Sequence, residues 1–182
     1  MQKVYLSLGA NLGDRAAQID TAIAMLDAAG VKLLRRSSLF ETEPQDLANQ
    51  PWFYNLVIEA ETALFPLQLL RQIERIEHEM GRQRTVAKGP RNIDIDILFF
   101  GNFVIQTNKL EVPHPRLHQR RFVLEPLAEL APALKHPTLK RTVRQLLADL
   151  QGQAVRRVTA GAPSPAGRVS GNRPLRPPRE PS

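Results

Sequence analysis

Residues 81–100 read GRQRTVAKGPRNIDIDILFF. The first half carries Arg82, Arg84, Lys88 and Arg91, no acid, and a Gly89-Pro90 break, which together predict a loop. From Ile93 to Phe100 the pattern alternates and then turns fully apolar, which predicts a strand. Residues two apart on a strand share a face. Asp94 and Asp96 therefore point one way, and Ile93, Ile95 and Ile97 the other. Two carboxylates so close repel each other unless positive charge lies between them. A hard dication such as Mg2+ suits them, because it takes oxygen ligands and keeps few protein carboxylates beside substrate phosphates. The cationic loop would then hold the polyphosphate that the metal bridges. For a D-x-D pair alone, the plainer reading is the wet face of a half-exposed strand beside a solvated loop. The adjoining arginines shift the reading toward a site.

Working outward, the segment before this stretch predicts a helix. Pro66 suits a first helical position, Leu69, Leu70, Ile73, Ile76 and Met80 follow helical spacing, and Gly81 is the stop. By pattern alone, Glu74 and Glu77 are solvated charges on this helix, with Arg71 and Arg75 as surface partners. Trp52 to Thr62 is rich in aromatic and β-branched residues and predicts a strand, with Phe53, Asn55, Val57 and Glu59 on one face. Glu41 to Pro51, polar and holding Pro44 and Pro51, predicts a loop, and Val31 to Phe40 another strand. At the N-terminus, Lys3 to Leu8 alternates as a strand. A helix opens at Asp14, with Ile19, Ile23 and Leu26 on its apolar face and Gly30 as its stop. The Gly9-Ala-Asn-Leu-Gly13 turn between them lacks the spacing of a phosphate loop and reads as a structural turn, with Asn11 or Asp14 near a cap. After Phe100 come a turn and short strand to Gln106, an extended run from Leu110 to Pro115, a basic and then apolar block, and a last helix from Thr142 to Leu150. The order strand, helix, strand, strand, helix, strand predicts an α+β fold, a ferredoxin-like α/β sandwich with an antiparallel sheet and both helices on one face.

Composition narrows the chemistry. The chain has 182 residues, enough for one domain with its own core, and 42% of them are hydrophobic. With no cysteine, disulfides, thiolate zinc sites and cysteine nucleophiles are excluded. His114 and His118 are four apart, but Pro113 and Pro115 forbid a zinc-binding helix there. No signal peptide or membrane-length apolar run is visible, so a cytoplasmic protein without membrane contact is the expectation. A net charge of +7 favours an anionic partner, nucleotide or nucleic acid. The last 24 residues hold six prolines and no aromatics. That divides the chain into a domain over 1–158 and a disordered Pro/Arg-rich tail over 159–182.

Five separated motifs then stand in order: FETEP (40–44), NQPWFYN (49–55), RIEHEMGRQR (75–84), GPRNIDIDIL (89–98) and VPHPRLHQRRFVLEPL (112–127). Together they resemble the 6-hydroxymethyl-7,8-dihydropterin pyrophosphokinase family over roughly residues 1–150. The resemblance implies transfer of a diphosphate from ATP to the pterin hydroxymethyl group in folate biosynthesis, leaving AMP. It assigns Asp94 and Asp96 to two Mg2+ ions, and Arg82 and Arg91 to the transferring group. Phe53 and Phe122 would sandwich the pterin, with Thr42 and Asn55 as its hydrogen-bonding partners. Glu77, Arg84, Lys109, His114 and Arg120 would lie on the ATP side. The substrates are small molecules, the chain is expected to be a monomer, and no nucleic acid is implied. The sequence departs from the family where Ala87 and Lys88 replace a common basic-aromatic pair, where Lys109 stands for a frequent arginine, and at Glu74, where glutamine can be found. Two other readings compete: a ferredoxin-like RNA-binding module without catalysis, and a metal-dependent nuclease using the D-x-D pair. The RNA module would want exposed aromatics in an R-G-F-G-F-V pattern, and the sequence has none.

Overall fold

Strand β1 (Gln2–Ala10) is an interior strand of the sheet, and the computed structural model describes it together with the rest of residues 1–81 and 92–159. Arg82, Arg84, Lys88 and Arg91 lie outside the described residues, as does the predicted tail beyond Thr159. Helix α1 (Arg15–Ala28) follows β1, and the Asp14 carboxylate caps it by accepting the Ala17 N–H at 3.1 Å. Strands β2 (Val31–Arg36), β3 (Phe40–Thr42) and β4 (Phe53–Thr62) precede helix α2 (Pro66–Glu79), which ends before Gly81 at a φ of 83°. Such a positive φ is a natural place for glycine. Strand β5 (Asp94–Phe100) completes the expected order.

The sheet runs β5–β1–β4, each neighbour antiparallel, and the far edge of β4 is shared by β2 and β3. This is the ferredoxin-like arrangement. Helices α1 and α2 cover one face, where Ile19, Leu26, Leu69 and Ile73 pack on Val4, Leu6, Leu8 and Leu56.

Several expectations need correction. Val31 to Phe40 is not one strand: the ladder breaks at Ser37, whose N–H bonds the Val57 carbonyl while its Oγ accepts the Val57 N–H. The hydroxyl thus replaces a backbone partner and keeps β4 satisfied across the gap. Glu41 and Thr42 belong to β3 and not to a loop. Strands β6 (Ile105–Gln106) and β7 (Glu111–Val112) form a separate ribbon, and β8 (Val155–Arg157) adds an unexpected strand beside β3.

The largest correction concerns layers. Helix α3 (Arg121–Leu130) lies where the sequence shows only a basic and then apolar block, and with α4 (Val143–Asp149) it covers one end of the second face of the sheet. Pro126 sits inside α3 and removes the N–H that would bond the Phe122 carbonyl, which is why the block does not announce a helix. Burial decides against the local preference: Val123, Leu124 and Leu127 are lost from water against Val57, Leu98 and Phe99. Each such side chain contributes ~1.5–3 kcal/mol. Residues Val4 to Ala10 of β1 are all buried, with no wet side chain alternating along the strand, although Ser7 and Gly9 border a cleft on the second face. Helix α4 matches its expectation, with a reciprocal cap between Thr142 and Gln145.

One irregularity aims β5. Tyr5 pairs with Phe99 but Leu6 pairs with Ile97, so Leu98 is an extra residue opposite β1. Leu98 and Phe99 both enter the second core, while Asp94 and Asp96 stay on that same face further along.

Candidate active site

The second face of the sheet is covered only at one end. At the other, Ser7 and Gly9 of β1, Asn55 and Phe53 of β4, Thr42 of β3, and Asp94 and Asp96 of β5 line a cleft of about 240 Å³. The register makes this possible: Gly9 lies between Asn55 and Asp94, and Ser7 beside Asp96. His114, Arg120 and Phe122 form one wall, and the loop from Glu43 to Gln50 forms another. Eight residues expected at the site thus meet in one place.

Their local chemistry is specific. Asn55 is buried and its Nδ2 donates to Thr42 Oγ1 at 2.6 Å, so the hydroxyl orients the amide. Neither Phe53 nor Phe122 belongs to the buried core; both are half-buried with the cleft before them. Arg120 reaches Asp96 Oδ2 at 3.7 Å and lies 5.5 Å from the Phe122 ring centre. Burial pushes the Arg120 guanidinium below its ordinary value, against the pull of Asp96, yet arginine stays charged. His114 is held neutral, its pKa lowered to about 4 by burial and by the Arg120 and Arg116 charges, with Asp94 opposing. Its Nδ1 accepts the Arg116 N–H at 3.1 Å, which leaves the ring hydrogen on Nε2 as a donor.

A second, more open groove adjoins the first and shares Asp96 and His114 with it; Lys109, Thr107 and Leu70 line its far side. Glu77 lines neither groove. It is buried, contrary to a solvated helix charge, and its Oε1 accepts the Ile95 N–H at 2.8 Å, tying α2 to the strand of the two aspartates. Glu74 is exposed, in line with its pattern.

The donor set fits a hard cation. Asp94 and Asp96 offer only carboxylate oxygens, and among the described residues no third His, Asp or Glu joins a metal-holding group. A cation here would complete its shell with water and substrate oxygens, as Mg2+ does.

Three site features were missed from sequence. Gly9 reads locally as a turn glycine, but a Cβ there would stand 2.4 Å from Asn55 Oδ1; the glycine lets that amide approach. Asn11 is no helix cap: its Nδ2 donates to Gln50 Oε1 at 2.9 Å and to the Pro51 carbonyl at 3.0 Å, holding the loop wall. Asp46 on that loop, which lines the cleft, meets Arg116 at 3.5 Å. The open-platform RNA reading fails on layers, because Tyr5 and Phe99 of that face are buried in the core beneath α3 and only Phe53 of its aromatics borders the cleft. Among the described residues no helix is long and apolar enough to cross a membrane.

Comparisons with known proteins bear on the family and the fold. A family model described as 7,8-dihydro-6-hydroxymethylpterin-pyrophosphokinase (HPPK) matches residues 5–132. The chain is similar to the 2-amino-4-hydroxy-6-hydroxymethyldihydropteridine pyrophosphokinase of Bacillus subtilis, 45% identical over 127 residues, covering 69% of this chain and 76% of that protein. It is 45% identical over 136 residues to the folic acid synthesis protein fol1 of Pneumocystis carinii, covering 75% of this chain but 18% of that longer protein. The crystal structure of Plasmodium falciparum HPPK-DHPS wild type with pteroate superposes with a TM-score of 0.68 at 20% identity, over 81% of this chain and 44% of that one. That likeness bears on the fold alone.

Proposed function

The chain belongs to the 7,8-dihydro-6-hydroxymethylpterin-pyrophosphokinase family, and on that premise we propose that it transfers a diphosphate from ATP to 6-hydroxymethyl-7,8-dihydropterin. In the reaction, the hydroxymethyl oxygen bonds to the β-phosphorus of ATP and gives up its proton to solvent, the bond from that phosphorus to the α-phosphate oxygen breaks, and AMP leaves. The observation that carries this reading is the meeting of two grooves at Asp96 and His114, one bearing rings and an amide, the other a lysine.

The pterin enters the first groove. Phe53 and Phe122 stack on its faces, each ring pair worth ~0.5–1.5 kcal/mol beyond area burial. Asn55, held by Thr42, reads its polar edge. ATP enters the second groove, where Lys109 meets its phosphates and the His114 Nε2–H donates to an oxygen without adding charge. Glu77 acts through the strand it holds. Asp94 and Asp96 would hold two Mg2+ ions between the substrates, which when bound neutralise phosphate charge and lower the pKa of the attacking hydroxyl. Arg120 sits beside Asp96, where it balances the carboxylate and faces the phosphates. From outside the described residues, Arg82 and Arg91 are assigned to the transferring group and Arg84 to ATP. Positioning and charge neutralisation suffice for this chemistry, so no side-chain general base is required.

We assign the chain to the cytoplasm as a monomer, with residues 1–158 as the catalytic unit. The test mixes protein, Mg2+, ATP and the hydroxymethyl pterin. AMP and pterin diphosphate in equal amounts are expected. Release of ADP in place of AMP, or no pterin product, would overturn the assignment.

A further inference from the structure

We infer that Gln153 is a positioning residue for the ring-bearing wall of the cleft, capping from a distance the helix that presents Phe122. The inference rests on the reading that Phe122 meets the pterin.

A helix leaves its first N–H groups without intrahelical partners, and a side-chain acceptor at the N-cap normally takes one. In α3 the N-cap is Arg120, which supplies no side-chain acceptor. Gln153 Oε1 instead accepts the Phe122 N–H at 3.1 Å, from 31 residues further along the chain. The next residues bind the opposite wall. Ala154 N–H donates to Glu43 Oε1 at 2.8 Å, the Glu43 N–H returns to the Ala154 carbonyl at 3.2 Å, and Val155 pairs with Thr42. Phe122, Glu43 and Thr42 all line the cleft. Three consecutive residues therefore tie together two walls that the sheet alone does not join. This strap lies beyond residue 132, where the family match ends.

Gln153 holds its place at a local cost. Its φ is 45°, a region that residues other than glycine rarely enter, and its Nε2 is buried without a partner among the described residues. The amide thus engages the described structure through its oxygen alone. Gln153→Met removes that acceptor at similar size, whereas Gln153→Glu keeps an oxygen for the Phe122 N–H and replaces the unpartnered nitrogen with a second, charged oxygen. A carboxylate near a helix N-terminus is also favoured.

The experiment measures steady-state kinetics of the full chain with Mg2+, ATP and the hydroxymethyl pterin. Gln153→Met should raise the pterin KM about three- to tenfold, the scale of one net hydrogen bond, with the ATP KM unchanged. Gln153→Glu should restore the wild-type value. Phe122→Ala tests the underlying reading separately: if it leaves the pterin KM unchanged, that reading fails. If Phe122→Ala raises the pterin KM while Gln153→Met does not, or raises both KM values alike, the inference alone falls. It also falls if Gln153→Glu behaves like Gln153→Met. Amide exchange in the wild type gives a readout that needs no variant and no turnover. The Phe122 amide should exchange as slowly as the interior of α3, and rapid exchange would overturn the cap.

Discussion

The same three strands build two unlike ends of one sheet face. At one end Tyr5, Val57, Leu98 and Phe99 lie dry beneath α3 and α4; at the other Gly9, Asn55, Asp96 and Asp94 face a cleft. The polar groups differ accordingly. Near the dry end Glu59 accepts the Tyr5 hydroxyl at 3.1 Å and pairs with Lys3 at 3.0 Å and with Arg35. Burial pushes the Glu59 carboxyl up, but these three donors outweigh it and hold it below the usual range. Tyr5 is pushed up to about 12 by the same burial and by Glu59. At the open end Asp96 meets Arg120 at a looser 3.7 Å beside the cleft. One end neutralises its charges internally, and the other presents them to a cleft.

The contrast is broken most severely at the aspartates. Asp94→Ala or Asp96→Ala should reduce turnover on the order of 10³-fold or more, since a bound metal contributes several kcal/mol of transition-state stabilisation. Urea unfolding should change little, because both side chains border the cleft and not the core. Near-normal AMP production in either variant would reject the metal assignment. Leu127→Ala, in the dry core, should do the opposite: lose ~2–5 kcal/mol of stability, with activity of the folded enzyme largely kept. A stability loss well below that range would mean α3 is not anchored as described.

Gly9→Ala probes the seam between the ends. The added Cβ must displace the Asn55 amide from Thr42, and the pterin KM should rise about tenfold, the scale of one buried hydrogen bond. An unchanged KM would remove Asn55 from recognition. The smallest effect concerns pH. His136 packs on Phe99, and its Nδ1 accepts the Leu139 N–H at 3.1 Å. Burial and then the neighbouring His118 lower its pKa in the folded state. The unfolded chain therefore takes up the proton first as pH falls, and stability declines from about pH 6.5 downward until the folded histidine also titrates. Unfolding midpoints at pH 8 and pH 5 should lie closer together in His136→Gln than in the wild type. Equal spacing would clear His136 of the effect.

Much of this was readable locally. The alternation of Ile93 to Ile97 put both aspartates on one face, Asp14 announced a helix start, and the spacing of Leu69, Ile73 and Ile76 announced α2. Helix α3 was hidden because Pro126 and the basic block before it both argue against a helix by local rules. The break at Ser37 was hidden because a hydroxyl substitutes for a backbone group only when β4 is beside it. Strand β8 is three residues long and owes its existence to β3.

The sequence by itself determined the periodicities, and through them the βαββαβ order, the apolar faces of α1 and α2, and the identities of the paired acids. These depend on neighbours within a few residues, where geometry follows from the backbone. Only the tertiary structure decided which end of the second face stays open, that Gly9 makes room for Asn55, and that Glu77 lies buried against the backbone of β5. Those outcomes depend on which distant segment covers a surface first, and burial between segments far apart in the chain leaves no local pattern to read.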